Sequence, residues 1–189
     1  MLDIAVIIAS TREGSLGATV GRWFLDQAGR RSDLRLDVMD LARTPLPPLQ
    51  PGPSGDPGHE ARALAARVGA ADGFVVVTPE YNRGYPAILK LAIDAARHEW
   101  AAKPVCFVSY GGHSGGLRAV EQLRLVFAEL HVVSLRDTVS FHRVTDRFDE
   151  SGRLIEPDGA NGAAKVMLDQ LIWWGTTLRE GREARPYAL

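Results

Sequence analysis

The sequence predicts an α/β fold in which a parallel sheet is covered by helices on both faces. Short runs rich in Val and Ile recur along the chain, and segments with apolar residues at helical spacing separate them. The hydrophobic fraction of 46% and the charged fraction of 24% are ordinary for a globular protein. A length of 189 residues suits a single domain over residues 1–189.

The first half of the chain alternates strand and helix. Residues 4–10 (IAVIIAS) are a continuous β-branched run, which is typical of a strand covered on both faces. Residues 18–31 show helical spacing, and the alternation of apolar and polar residues over 34–41 indicates a strand nearer the edge. The Pro- and Gly-rich residues 43–58 predict a long surface loop.

The second half continues this alternation. The predicted segments are a helix over 60–72, a strand over 73–79, a helix over 87–100, a strand over 103–109, a helix over 117–130, a strand region over 131–141 and a last helix over 162–180. Pro86 suits the first residue of its helix, because no amide hydrogen bond is lost there. Right-handed crossovers place the loops that follow the strands along one edge of the sheet, so we expect ligands to bind at that edge.

Charge, cysteine content and the N-terminus narrow the class of protein. The net charge of -1 gives no support for a nucleic-acid or membrane-surface partner. The single cysteine, Cys106, excludes an intramolecular disulfide and suits a buried strand position. The N-terminal apolar run is too short to span a bilayer and lacks a basic lead-in and a cleavage site, so we expect a cytoplasmic protein. We expect no metal site, because no metal-ligand spacing is found among His59, His98, His113, His131 and His142.

The loop after the first strand has the residue types of an anion site. Small and hydroxyl residues, among them Ser10 and Ser15, precede a helix start, where backbone N–H groups and the positive helix end favour an anion. Arg12 adds a charge-assisted partner for a phosphate. The loop has neither G-x-G-x-x-G nor G-K-[ST], so it suits a monophosphate better than a dinucleotide or a triphosphate. The alternative is that the hydroxyls cap the helix and Arg12 is solvated.

The loop after the fourth strand allows three interpretations. Residues 112–116 (GHSGG) match the nucleophile elbow G-x-S-x-G, and Ser114, Asp137 and His142 follow the order of a serine hydrolase triad. Gly111 and Gly112 also suit a loop whose backbone approaches a flat ligand closely. The third interpretation is a glycine-rich turn that enters a helix.

The loop after the third strand, TPEYNRGYPAILK, carries more polar and aromatic residues than a turn requires. Thr78 is held extended by the following Pro79. We expect Glu80, Tyr81 and Asn82 to form an exposed crest, and Gly84 to let the chain turn toward the next helix. Such a crest can place backbone amides and an aromatic ring against a planar heterocycle.

Together, TPEYNRGYPAILKLAID, ASTREGS and SYGGHSGG resemble the NADPH-dependent FMN reductase family of flavodoxin-like proteins, over about residues 3–130. The resemblance implies a doubly wound five-stranded parallel sheet with strand order 2-1-3-4-5, and FMN at the switch point between strands one and three. It implies that the FMN phosphate lies on Ser10, Arg12 and Ser15. The implied contacts of the isoalloxazine ring are Pro79, Glu80, Tyr81 and Asn82, with Ser109, Gly111, Gly112 and Ser114 at its other border.

The same resemblance implies an FMN-dependent NAD(P)H oxidoreductase. Hydride passes from NADPH or NADH to flavin N5 and then to a small acceptor, such as a quinone, an azo compound, a metal ion or free flavin. This chemistry requires no catalytic side chain from the protein. A serine hydrolase and a non-enzymatic flavodoxin-like electron carrier remain as alternatives, although the chain lacks the acidic excess expected for docking redox partners.

The resemblance also implies a homodimer or a homotetramer. We hypothesise that the helix after Pro86 helps to form the dimer through Ile88, Leu89, Ala92 and Ile93. The last helix is apolar over much of its circumference, with Trp173 and Trp174 at its centre. Its expected role is core packing, with a subunit interface as the second interpretation.

Overall fold

The computed structural model of the chain describes residues 1–47 and 55–188. They form a sheet of parallel strands: β1 (Leu2–Ile8), β2 (Leu34–Asp40), β3 (Gly73–Pro79), β4 (Pro104–Tyr110), β5 (Val133–Ser134) and β6 (Val139–Phe141). The order is β2-β1-β3-β4-β5, and β6 also pairs with β4. The doubly wound parallel sheet with strand order 2-1-3-4-5 is therefore confirmed.

The fifth position of the sheet differs from the single strand region expected over 131–141. Val105 of β4 faces Ser134 of β5, whereas Val108 of β4 faces Val139 of β6. Two extra residues therefore leave the sheet between the two short strands. Arg124 holds this interruption in place by donating to the carbonyl oxygen of Leu135 at 2.6 Å and to that of Arg136 at 3.0 Å.

The helices cover both faces of the sheet. They are α1 (Gly17–Ala28), α2 (His59–Ala70), α3 (Ala87–Asp94), α4 (Leu117–Glu129) and α5 (Pro157–Ala184). One core joins α1 and α5 to one face, and the other core joins α2, α3 and α4 to the opposite face. Successive residues of a strand point to opposite faces, so β1, β3 and β4 are mostly apolar because both of their faces are buried; Asp3, Thr78 and Ser109 are the polar exceptions. Cys106 lies in this core, where burial raises the pKa of its thiol.

Two helix boundaries differ from expectation. Pro86 caps α3 instead of beginning it, and α3 ends at Asp94. A separate 3-10 turn follows over His98–Trp100, because the buried indole of Trp100 donates to the carbonyl oxygen of Ile93 at 2.9 Å. The last helix, α5, begins at Pro157, before the expected residue 162, since proline is tolerated at the first helical position.

Two further expectations concern the dimer contact of α3 and the long surface loop. Leu89, Ala92 and Ile93 of α3 are buried in the core of this chain, so they are not available to the hypothesised dimer contact, and Ile88 is half-buried. Residues 48–54 of the expected surface loop lie outside the described residues. No helix in the described part of the chain is long and apolar enough to cross a bilayer.

The sheet edge opposite the carboxyl ends of the strands is held by buried charges. The Lys103 ammonium group donates to the carbonyl oxygens of Val68 and Gly69 at the end of α2, both at 2.8 Å. Asp72 accepts from the guanidinium of Arg182 on α5 at 3.4 Å. Burial, with repulsion from Arg182, lowers the pKa of Lys103 from 10.5 to about 8.

We expect Lys103 to make stability rise with pH above about pH 8. Between its folded pKa of about 8 and its ordinary pKa of 10.5, the unfolded chain binds a proton that the folded chain has released. The free energy of unfolding should therefore rise by up to about 1.4 kcal/mol per pH unit from this group. Urea denaturation of wild type and Lys103→Met over this range measures the difference.

In Lys103→Met the free energy of unfolding should rise less with pH than in wild type. Lys165→Met should keep the wild-type rise, because Lys165 is exposed and paired with Asp169. An identical pH dependence in wild type and Lys103→Met would contradict the assignment.

Candidate functional site

Three loops meet at the carboxyl ends of β1, β3 and β4. They are residues 9–16, 80–86 and 111–116. The chain leaves β1 to form β2 on one side, while β3 lies on the other side of β1, so a crevice opens between the first two loops. The amide of Ala9 donates to the carbonyl oxygen of Val77 at 2.9 Å and continues the pairing up to the crevice.

A cluster of hydroxyl groups lies at the start of α1. The Ser10 hydroxyl donates to the Ser15 Oγ at 2.8 Å and is 2.9 Å from the Tyr81 hydroxyl. The amide of Gly17 donates to the Ser15 Oγ at the long distance of 3.4 Å. The Tyr110 hydroxyl borders the same space. We call Ser10, Ser15, Tyr81 and Tyr110 the hydroxyl cluster.

Gly17 lets the hydroxyl cluster approach the helix end. A Cβ atom at this position would lie 2.7 Å from the Cβ of Ser10 and 2.7 Å from the hydroxyl oxygen of Tyr110. A larger residue would therefore force Ser10 or the Tyr110 side chain to move. Glycine therefore brings the first turn of α1 against the ends of β1 and β4.

The start of α1 is open to an anion. Its N-cap residue, Leu16, has no capping side chain, and the first turn contains no acidic residue. In the described part of the chain, Thr11, Glu13 and Gly14 of the preceding loop are exposed and make no hydrogen bond. The backbone N–H groups and the positive helix end are therefore available to a negatively charged ligand.

The Tyr110 hydroxyl indicates that the hydroxyl cluster is incomplete. Tyr110 is 4% exposed, and its hydroxyl has no hydrogen-bond partner among the described residues. Burial raises the pKa of Tyr110, and the nearby Ser10 opposes this rise. A buried hydroxyl without a partner is costly, so the site suits a ligand that rearranges or completes these contacts.

Arg12 lies over the aromatic ring of Tyr81. The guanidinium carbon is 4.0 Å from the ring centroid, within the range of a cation–π contact. Arg12 is exposed, and its carbonyl oxygen accepts from the amide of Ser15 at 3.2 Å. The structure thus brings together Ser10, Arg12 and Ser15, and adds Tyr81 to them.

The loop after β3 turns at Asn82 and Arg83. The amide of Tyr81 donates to the carbonyl oxygen of Gly84 at 2.8 Å, and the amide of Gly84 returns a bond of 3.0 Å. Asn82 and Arg83 have φ of 49° and 73°. A two-residue turn of this kind needs positive φ at both central positions. Gly84 closes this turn, and the positive φ values fall at Asn82 and Arg83.

Glu80 is not part of an exposed crest. Its side chain is 5% exposed and accepts from the Arg118 Nε at 2.6 Å and from the Arg118 amide at 3.2 Å. Burial alone would raise the pKa of Glu80, but hydrogen bonding from Ser114 and Arg118 outweighs it and holds the pKa below its usual value. Glu80 ties the loop after β3 to the start of α4.

Two serine hydroxyl groups hold the glycine-rich loop after β4. Ser109 and Ser140 each donate to the carbonyl oxygen of Gly115 at 2.8 Å. Gly116 has φ of 88°, and a Cβ atom there would lie 2.7 Å from the Cβ of Ser109. Gly112, by contrast, has open space where a Cβ would be. The carbonyl oxygen of Gly112 accepts from the Arg143 amide at 2.7 Å, so the loop is held on this side too, and the open space at the Cα of Gly112 is where a ligand can approach.

The hydrolase triad is not assembled. The Nδ1 atom of His142 is 2.9 Å from the carbonyl oxygen of His113, and the carboxylate of Asp137 accepts from Gln170. Among residues 1–47 and 55–188, no hydrogen bond joins His142 to Ser114 or to Asp137. A triad needs both of these bonds, so the geometry does not support a serine hydrolase.

The other expected site residues lie as follows. Pro79 and Ser109 are buried at the ends of β3 and β4, and Asn82 is exposed at the tip of its turn. Sequence reasoning did not identify Gly17, Tyr110 and Arg118. The alternation of β4 places Tyr110 on the same face as Cys106 and Val108, toward α1, so strand period could have found it.

Comparison with known proteins gives a consistent picture. A family model described as NADPH-dependent FMN reductase matches residues 2–146. An NAD(P)H-dependent FMN reductase of Schizosaccharomyces pombe is 40% identical over 124 residues, which cover 60% of this chain and 60% of that protein. A 2-hydroxy-1,4-benzoquinone reductase of Burkholderia sp is 30% identical over 180 residues, which cover 92% of this chain and 96% of that protein.

The fold also has solved counterparts. The structure of a flavoenzyme NAD(P)H:(acceptor) oxidoreductase from Paracoccus denitrificans matches with a TM-score of 0.75 and 21% sequence identity. The match covers 94% of this chain and 98% of that chain. At this level of identity the likeness supports the flavodoxin-like fold alone.

We expect Arg118→Met to destabilise the protein by about 1–3 kcal/mol, because it leaves a buried carboxylate without its charged partner. The loss should fall in the lower part of that range, since the Arg118 side chain is itself 43% exposed. Urea denaturation at neutral pH measures it. Glu80→Gln in the Arg118→Met background should recover part of the loss, because the amide carries no charge.

Arg136→Met is the matched control for this experiment, because the Arg136 side chain is exposed and its contact with Asp137 is long, at 3.4 Å. If Arg118→Met cost no more stability than Arg136→Met, the proposed tie between the two loops would be wrong.

Proposed function

The chain belongs to the NADPH-dependent FMN reductase family, and from this premise we propose that it is an FMN-dependent NAD(P)H oxidoreductase that reduces a small acceptor. The observation that carries the proposal is the hydroxyl cluster at the uncapped start of α1, with Arg12 beside it. Its position at the switch point of the sheet is where ligands bind in open α/β folds.

The residues present fit the single phosphate of FMN. Ser10 and Ser15 supply hydroxyl groups, α1 supplies backbone N–H groups, and Arg12 supplies one positive charge. The space is narrow, because the Tyr110 hydroxyl and Ser10 both lie close to Gly17. Such a site suits one phosphoryl group, because a pyrophosphate or a triphosphate requires more donors and more positive charge.

The remaining loops would flank the flavin ring. Residues 79–82 and the open side of the glycine-rich loop at Gly112 face the crevice from β3 and β4. Glu80 fixes the distance between these two loops through Arg118, and Ser109 fixes the base of the glycine-rich loop through Gly115. Rigid flanking loops of this kind orient a planar group without a covalent link.

When bound, FMN supplies the redox chemistry, accepting a hydride from NADPH or NADH and passing electrons to the acceptor. The protein then needs to bind the flavin, orient its ring and leave one face of that ring accessible. We assign no catalytic side chain. Glu80 is already paired with Arg118, and His142 already contacts the His113 carbonyl oxygen. The acceptor class, a quinone or another small oxidant, is supported by the quinone reductase activity that names the Burkholderia relative.

We propose that the chain works as a homodimer or a homotetramer in the cytoplasm. Large apolar side chains are exposed on two helices: Leu125 of α4 is 76% exposed and Trp173 of α5 is 60% exposed. Exposed apolar side chains of this size are candidates for a subunit interface. The core residues of α3 do not take part.

Purified protein should be yellow or become yellow with FMN, because the flavin absorbs in the visible range when bound. NADPH or NADH should bleach this absorbance without air, and adding a quinone should restore it. A colourless protein that does not take up FMN would contradict the cofactor. A flavoprotein that nicotinamide does not bleach would be an electron carrier and not a reductase.

Light scattering on protein eluted from a size-exclusion column should give a mass of two or four times the chain mass of 20.6 kDa. Leu125→Arg and Trp173→Arg identify the face involved, because a charge buried in an apolar interface is costly. The variant on the interface should shift the mass toward that of one chain. A mass of one chain for the wild type would contradict the oligomer.

A further inference from the structure

We propose that Tyr81 is a specificity-determining residue: it orients Arg12 and thereby makes the site selective for a flavin that carries a phosphate over riboflavin. The inference rests on the proposed function and deepens it. It also moves Tyr81 from the ring subsite, where the resemblance placed it, to the phosphate subsite.

Tyr81 is fixed at the phosphate loop by its hydroxyl group. The Tyr81 hydroxyl is 2.9 Å from the Ser10 Oγ, although the two residues belong to different loops. The tight turn that follows Tyr81, with its pair of bonds to Gly84, holds the backbone. The phenol ring is therefore held at both ends and presents its face next to the start of α1.

Arg12 depends on this ring for its orientation. Its guanidinium carbon stands 4.0 Å from the ring centroid, and in the part of the chain that the structure describes it makes no ion pair and no side-chain hydrogen bond. The loop around it is exposed, and its neighbours Thr11, Glu13 and Gly14 make no hydrogen bond there. Without Tyr81, this long side chain would sample many rotamers in solvent.

Stacking leaves the useful part of the guanidinium free. The guanidinium carbon of Arg12 lies 4.0 Å from the ring centroid, and a cation–π contact of this kind does not use the N–H groups, which can donate two parallel bonds to a phosphate. A side chain that is already ordered loses less entropy when the phosphate binds. Tyr81 therefore strengthens binding only for a ligand that has the phosphate.

Riboflavin separates this role from the alternative. It carries the same ring and ribityl chain as FMN but no phosphate, so it gains nothing from an oriented Arg12. If Tyr81 instead contacted the flavin ring, removal of the Tyr81 side chain would weaken the binding of FMN and of riboflavin equally. The difference between the two flavins is thus a readout that a merely structural role does not change.

The experiment measures dissociation constants of FMN and riboflavin by quenching of flavin fluorescence. Tyr81→Leu should weaken FMN binding by about five- to tenfold, the scale of a cation–π contact plus the ordering of one arginine. Riboflavin binding should stay within about twofold, a change below the energy of such a contact. Tyr81→Phe should keep the preference for FMN, because the ring remains under the guanidinium.

A double-mutant cycle completes the test. Arg12→Ala should weaken FMN binding by more than Tyr81→Leu does, and adding Tyr81→Leu to Arg12→Ala should cost no further FMN affinity. Additive losses, or equal losses for FMN and riboflavin in Tyr81→Leu, would overturn the inference. Tyr187→Leu, which lies next to His131 away from the phosphate loop, should change neither affinity.

The result for wild type distinguishes the inference from the function on which it rests. Wild type that binds neither flavin would overturn the proposed function. Wild type that binds both flavins equally would overturn the phosphate selectivity alone. Riboflavin binding by Tyr81→Leu at the wild-type level also shows that the variant is folded.

Discussion

Parallel pairing of β1 with β3 decides where everything else in the site lies. The register sets Ile8 opposite Val77, and the amide of Ala9 extends the pairing by one more bond to Val77. The two strands therefore end side by side, which brings Ser10 and Tyr81 within 2.9 Å of each other. Because β2 lies on the other side of β1, the connections from β1 and β3 leave in opposite directions, and a crevice for a ligand forms between them.

Two charged residues beside the crevice hold its loops, whereas Arg12 contacts an aromatic ring. Glu80 and Arg118 neutralise each other and fix the loop after β3 to α4. Among residues 1–47 and 55–188 the Arg12 side chain contacts the ring of Tyr81 and makes no ion pair, so its charge remains available to an anion. A site with held loops and a positive charge beside the hydroxyl cluster suits a neutral ring attached to a single phosphate, which is the form of FMN.

Much of the fold was predictable, because β1, β3 and β4 are buried on both faces and therefore each contain a run of apolar residues. The divided edge of the sheet was not, since two short strands with a register shift leave no periodic pattern. At the site, Ser10, Ser15 and Arg12 follow from local sequence. The burial of Glu80 does not, because its partner Arg118 is 38 residues away and the pair meets only after the sheet forms.

The most direct test of this account is a crystal structure of the protein with FMN bound. The account predicts the phosphate at the start of α1, within hydrogen-bond distance of Ser10, Ser15 and Arg12, with Arg12 still stacked on Tyr81. It predicts the flavin ring between the loop after β3 and the Gly112 side of the loop after β4. A flavin with its phosphate elsewhere, or with Arg12 turned away from both the phosphate and Tyr81, would contradict it.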